Sequence, residues 1–331
     1  MRSQRGMALL VVLLILTVMV VVAANISTRF HMEMFRTSNL VRQEQAKWYA
    51  YGAEALVAKT LNQDIKDSPT RIHLGQYWAT SGQTFPVDEG VIRGEIRDSQ
   101  ACFNVNGINS TTVPAGEDGL PYSAGVFKQL LINLQVDDSV AEQITDALRD
   151  WIDSDDVLVS GQGAEDSWYQ SLKVPYLAGN GPMTDISELR LVRGVTPAIY
   201  RRLLPQVCAL PNATTGPELK INVDTLLESQ APLLSALFLG QMSSEEALSV
   251  LRDRPKDGWI DKPTFFGLPA VMSANMGLGD KVQNSVVVVS NYFEARLQVQ
   301  MDDLQVSFIT LFKRLGSNKV AVIRRQYGGS E

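Results

Sequence analysis

Histidine is nearly absent: His31 and His73 are the only two in 331 residues. A His-based catalytic triad or a multi-His metal centre therefore has almost nothing to be built from. Cysteine is equally scarce. Cys102 and Cys208 stand 106 positions apart, which excludes a zinc site made of local CxxC pairs. They are either two buried thiols or one long-range disulfide, and the choice turns on the compartment. Closing a loop of that length contributes about 4–5 kcal/mol in the chain-entropy model. A nucleophile motif such as GxSxG is missing, and so is any internal repeat or low-complexity tract. The formal net charge of -6 disfavours a surface built for phosphates or anionic lipid.

The most informative absence lies at the N-terminus. From Met7 to Ala24 there is not one charged residue. Eighteen residues span about 27 Å as a helix, close to a bilayer core of about 30 Å, and Asn25 and Ile26 supply a further turn. Arg2 and Arg5 place the leading end in the cytoplasm by the positive-inside rule. A secretory signal peptide cut near Val22-Ala23-Ala24 is one reading, and a plain signal anchor is another. The apolar run is long for the first, and helix-compatible sequence continues from Ile26 to about Gln63 with no Gly or Pro before Gly52.

Neither reading accounts for Gly6 at the junction. Arg5-Gly6 followed by Met7-Ala8-Leu9-Leu10-Val11-Val12 resembles the type IV pilin-like signal. The resemblance implies cleavage between Gly6 and Met7 by a prepilin peptidase, N-methylation of Met7, and an apolar helix that first anchors the subunit and later packs in a filament core. Most such sequences carry glutamate as the fifth residue after the cut; here it is Val11. A lone carboxylate in a bilayer is costly and is kept for a partner. In such filaments that partner is the amino terminus of a neighbour, so a subunit without the acid fits a filament tip better than a repeating place in the shaft.

Beyond the apolar segment, residues 28–63 mix charge with Phe30, Met34, Val41, Trp48, Tyr51, Ala55 and Leu56. Their spacing predicts one packed helix face, and the stretch from Asp64 to Pro69 ends the helix. Val91 to Asp98 and Ala101 to Val105 read as strands. Near the C-terminus, Ser285 to Ser290 is β-branched, and Phe293, Ala295, Leu297, Val299 and Met301 alternate with polar residues. Asp302-Asp303 turns into Leu304 to Lys313, and Gly316-Ser317-Asn318 turns into Lys319 to Arg325, an antiparallel meander. A long helix packed on such a sheet is an α+β arrangement.

The middle, from about Asn109 to Met276, has the texture of an all-α unit. Asp185 with Glu188 and Ser243 with Glu246 have capping-box spacing, and Thr196-Pro197 places an N-cap before a first-turn proline. The expected organisation is a leader at 1–6, a transmembrane helix at 7–26, a pilin-like part at 27–108, an inserted helical domain at 109–276 and the rest of the pilin-like sheet at 277–331.

The insert holds the candidate chemistry. Asp150, Asp153, Asp155 and Asp156 sit at or beyond the C-terminal end of a predicted helix, where the macrodipole is already negative. Like charges about 4 Å apart repel by up to about 4 kcal/mol at an effective dielectric of about 20. Glu165 and Asp166 return after a Gly-rich loop. Hard oxygens without Cys or His suit Ca²⁺, one or two structural ions by carboxylate count; the plainer reading is a solvated acidic loop. Further on, Leu189-x-x-Val192-x-Gly194-Val195-Thr196 resembles a helix-hairpin-helix, and Lys220-Ile221-Asn222-Val223-Asp224-Thr225 resembles a segment of DNA-binding hairpin proteins. Arg190, Arg193, Arg201 and Arg202 are candidate phosphate contacts, but the acidic surroundings oppose the counterion-release term. No nucleic-acid partner is expected, and the motif reads as a packing scaffold.

In combination, several features resemble the K-type minor pseudopilins of the type II secretion system. They are the processing site without its acid, Phe103-Asn104-Val105-Asn106, Asp150-Trp151-Ile152-Asp153, Ser187-Glu188-Leu189-Arg190-Leu191-Val192, and Val207-Cys208-Ala209-Leu210-Pro211. The resemblance implies a pilin fold with an inserted calcium-bearing helical domain. It also implies a non-enzymatic role in a tip complex with minor pseudopilins I and J, at the inner membrane with the bulk in the periplasm, where a Cys102–Cys208 disulfide is permitted. Two other readings remain: a DNA-uptake pseudopilin using the hairpin motif, and a membrane-tethered hydrolase with a metal-activated water.

Overall fold

The computed structural model describes residues 5–80, 82–110, 120–211, 218–302, 304–316 and 319–328. Helix α1 (Arg5–Asp67) runs for 63 residues, about 95 Å at 1.5 Å per residue. It contains no proline, and Pro69 disfavours helical backbone at Ser68. Among the described residues it is the only helix long and apolar enough to cross a membrane, and the apolar window near its start is not buried at all. Residues 1–4, including Arg2 of the expected leader, lie outside the described residues.

The distal part of α1 lies on a five-stranded antiparallel sheet made of β1 (Gln83–Val87), β2 (Gly90–Asp98), β3 (Tyr292–Met301), β4 (Leu304–Leu315) and β5 (Lys319–Tyr327), in that spatial order. Phe293, Ala295, Leu297, Val299 and Met301 of β3 are buried, and the residues between them reach the opposite face, the period-2 pattern of a half-covered sheet. The meander is the expected one, with Asp303, Ser317 and Asn318 of its turns outside the described residues. The edge strand β1 was not expected; four of its five residues, Pro86 among them, are exposed and hide it from pattern reading.

The packed face of α1 differs from the expected one. Ala46, Ala50, Ala53, Val57, Leu61 and Ile65 are buried against the sheet, whereas Phe30, Met34, Val41, Trp48 and Leu56 are exposed, Trp48 at 71%. Three alanines at i, i+4 and i+7 let the helix axis approach the sheet closely, and a face weighted by large apolar residues misses that.

Between β2 and β3 the chain leaves the sheet to build the helical unit. Its hydrophobic core draws on residues from Phe103 to Val288, beyond 109–276 at both ends. Helices α2 (Tyr122–Asn133) and α3 (Asp138–Ile152) pack together. The remaining α-helices there have five to nine residues. Ala101 to Val105 and Ser285 to Ser290 are not the strands expected. Only Phe103–Asn104 and Val286–Val287 are extended, paired in parallel with Val207–Cys208 and Ile221–Asn222, and a short helix (Asp280–Ser285) occupies the start of the second stretch. Long-range pairing settles these segments, and local propensity does not report it.

A disulfide ties the helical unit, and a polar cluster fixes its joint to the sheet. Cys102 and Cys208 form a disulfide with Cα atoms 5.9 Å apart. At the end of β2 the buried Asp98 carboxylate accepts from Gln100 N (2.8 Å), Asn222 Nδ2 (3.0 Å), Thr225 Oγ1 (2.6 Å) and Ser290 Oγ (2.5 Å). The segment from Lys220 to Thr225, which resembles a nucleic-acid motif in sequence, is thus spent on the joint.

Candidate metal centre

Helix α3 ends in an acidic corner, with Asp150 in its last turn and Asp153 at its C-cap. Asp150 is fully buried. Its Oδ1 accepts from Val159 N at 2.9 Å and its Oδ2 from Ala164 N at 2.7 Å, folding the following loop back onto the helix. Gly163 permits this: a Cβ there would come within 2.0 Å of Asp150 Oδ2. Asp146, which the sequence did not mark, accepts from Ser160 Oγ at 2.5 Å.

That loop path brings Glu165 to Asp153 and Asp155, where one oxygen from each lies within 4.8 Å of the others. Glu165 is only 3% exposed. Both of its carboxylate oxygens, and Asp153 Oδ1, are buried without a hydrogen-bond partner. Buried oxygens left this way cost free energy unless a cation or protons compensate them. Without a cation the charged forms are disfavoured here. Desolvation, then the neighbouring carboxylates Asp150 and Asp153, push the Glu165 carboxyl up to about 7. Desolvation, then Asp155 and Asp150, push Asp153 up to about 6.

The other carboxylates expected here hold the surrounding chain. Asp156 Oδ1 accepts from Asn180 Nδ2 at 3.2 Å, and Asp166, in the first turn of α4 (Asp166–Gln170), accepts from Ala178 N at 2.8 Å. Asn180 was missed by sequence reading. It sits at φ +43° and its Oδ1 is buried and unpartnered; the Asn180-Gly181 pair is the turn signal that marks it. The donor set is therefore three carboxylates at a negative helix end, which fits Ca²⁺ in charge and hardness.

Two arginines of the hairpin region bind backbone carbonyls, and Arg190, like Arg202, remains exposed. Arg193 Nη1 donates to Gly163 O at 2.9 Å and its guanidinium lies 5.2 Å from the Trp168 ring centre. Arg202 Nη1 donates to Leu134 O and Gln135 O at the C-terminal end of α2 (3.2 and 3.3 Å), and Arg190 stacks on Tyr200. Arg201 is exposed. The capping boxes at Asp185–Glu188 and Ser243–Glu246 both form, the first on a 3₁₀ turn, and Thr196 caps α5 (Pro197–Leu203). Through Arg193 and Arg202 the hairpin region ties neighbouring backbone carbonyls.

A single apolar helix laid on an antiparallel meander, with a disulfide-tied helical unit set between the second and third strands, defines a pilin-like subunit of the large minor kind. The comparisons narrow this further. The family model for type II secretion system protein K matches in two parts, residues 101–212 and 221–290. Type II secretion system protein K of Aeromonas hydrophila is 46% identical over 339 residues, spanning 100% of this chain and 99% of the relative. The protein of the same description from Pectobacterium carotovorum is 45% identical over 338 residues, spanning 99% and 98%. A chain of the solved GspK-GspI-GspJ complex of the enterotoxigenic Escherichia coli type 2 secretion system superposes with a TM-score of 0.80 at 33% identity, over 89% of this chain and 100% of that one. The chain belongs to the type II secretion system protein K family and is a minor pseudopilin.

Proposed function

We propose that this subunit occupies the tip of the pseudopilus, where it starts and caps the assembly that exports folded proteins across the outer membrane. It acts as a structural component and not as an enzyme. The observation that carries this is the helical unit between β2 and β3: its core residues run from Phe103 to Val288, a mass too bulky to repeat along a narrow shaft. Val11 in place of the usual acid supports the same end position. In this reading a prepilin peptidase cuts between Gly6 and Met7 and Met7 is N-methylated. The helix from Met7 to Ala24 then holds the subunit in the inner membrane, N-terminus cytoplasmic and bulk periplasmic, until assembly.

The partners are the minor pseudopilins I and J of the same system, a reading supported by the solved complex that this chain resembles. The ion is Ca²⁺, held by Asp153, Asp155 and Glu165 with Asn180 and Asp156 beside them. The unpartnered oxygens of Glu165 and Asp153 support it. Co-purifying the full chain with tagged I and J subunits tests the assignment. A stable 1:1:1 complex is the expected result, and an I–J pair that excludes this chain under all conditions overturns it.

A further inference from the structure

Beyond the acidic loop and α4, residues 178–185 form a stretch that belongs to no helix or strand. Side-chain anchors, with one backbone bond from Gly181 N to Trp151 O at 3.5 Å, set its path. At its start, Ala178 N is held by Asp166 and Asn180 Nδ2 by Asp156. Gly179 lies flat on the Trp151 indole, where a Cβ would come within 2.7 Å of Nε1. In the middle, the Asn106 amide brackets Met183, accepting from its N at 2.8 Å and donating to its O at 2.9 Å. At its end, Thr184 O accepts from the Arg324 guanidinium, and the Asp185 carboxylate accepts from Gln326 as well as from Ser187 N. Arg324 and Gln326 belong to β5, an edge strand of the sheet.

We propose that the ion at the Asp153–Asp155–Glu165 corner controls how firmly the helical unit is clamped onto edge strand β5, with residues 178–185 as the strap and Arg324 as the residue that receives it. The inference rests on the calcium reading. With the ion bound, the corner carboxylates are drawn together and the loop bearing Asp156 and Asp166 is fixed, so the strap start is fixed too. Without it, carboxylate repulsion loosens that start, and a strap with no ladder hydrogen bonds transmits the loss to Thr184 and Asp185. Edge strands offer unpaired backbone groups to other chains, so ion occupancy would set whether β5 is covered. Because binding linkage is reciprocal, weakening the clamp must weaken ion binding by the same factor.

The full chain in detergent, with Ca²⁺ alone as the titrant, tests this by calorimetry and by hydrogen exchange. Arg324→Gln is expected to weaken Ca²⁺ binding about fivefold or more, a coupling typical of linked sites. Loss of a positive charge acting only through its field predicts the opposite sign. Arg325→Gln is the control, since Arg325 sits on the same strand but grips Glu54 of α1 at 2.8 Å; its affinity should equal that of wild type. In the wild type, chelation should speed exchange at residues 183–185 and along β5. Unchanged or tighter binding in Arg324→Gln, or exchange at β5 that ignores chelation, overturns the clamp while leaving the calcium reading intact. Absence of Ca²⁺ binding in the wild type overturns the calcium reading itself, and the clamp with it. Gln326→Ala, which touches only the other side of the strap's end, should show the same direction of change, and its failure to do so counts against the clamp.

Discussion

The pilin-like sheet and the helical unit are held together by different means. In the sheet, alternate residues of β3 face α1 and ladder hydrogen bonds satisfy the backbone. In the helical unit the regular elements are short, and buried polar side chains do the work of ladders. Asn106 holds Met183 and Leu210, Asp150 holds Val159 and Ala164, and Gln230 donates to Ala101 O and Pro205 O. The disulfide and the acidic corner lie on this side of the molecule as well. A region whose backbone is irregular needs side chains, a covalent link or an ion to satisfy it, which is why such features concentrate there.

The largest test of that division is the disulfide. Replacing Cys102 and Cys208 by serine should remove about 4–5 kcal/mol from the helical unit, the chain-entropy value for so long a loop. Hydrogen exchange read separately at α3 and β3 measures it, and equal loss in both units would break the division. Next comes Asn106→Ala, which strands Met183 and Leu210 backbone groups and should cost about 3 kcal/mol or more. Gln298→Ala, on the polar face of β3, should stay within about 0.5 kcal/mol by urea unfolding.

A third test uses pH. The folded Glu165 holds its proton to about pH 7, whereas the unfolded chain releases it near the ordinary 4.5; Asp153 behaves alike with a folded value of about 6. Between those limits the folded state binds more protons, so stability falls as pH rises. In chelator, the helical unit should therefore melt higher at pH 5 than at pH 8. Calcium binds the ionised carboxylates and should raise the pH 8 melting point above that of the calcium-free protein, with affinity falling below about pH 7. Glu165→Gln should lessen the slope of the chelator profile, to which Asp153 and Asp224 still contribute, and remove the calcium response. A melting temperature indifferent to both chelator and pH would sink the ion reading.

How much of this was legible in sequence follows the same line. Strands β2 to β4 could be read because one face is buried and period 2 is local information, and β5 because a turn signal precedes it, whereas β1, with Pro86 and little burial, could not. The acidic corner could be found, since Asp150, Asp153, Asp155, Asp156, Glu165 and Asp166 cluster along the chain. Their division of labour could not. Whether an aspartate faces an ion or a backbone amide depends on the loop path, which Gly163 and Asp150 settle together. Asn106 and Asn222 act on partners up to 150 positions away, beyond any local pattern.

The smallest effects sit on the two faces of α1 and sharpen the comparison within one element. On the packed face, Ala50 is 2% exposed against the sheet, so Ala50→Leu should overpack it and cost about 1–3 kcal/mol. Two residues earlier, Trp48 is the larger and more apolar side chain, and a sequence argument would bury it. Its 71% exposure and its edge contact with Tyr51 predict that Trp48→Ala changes the stability of the isolated subunit by no more than about 0.5 kcal/mol. Thermal unfolding of the two variants side by side decides the point. If Trp48→Ala were the more damaging of the two, the helix would be packing on the sheet through its large residues after all, and the close approach allowed by Ala46, Ala50 and Ala53 would not be what seats it.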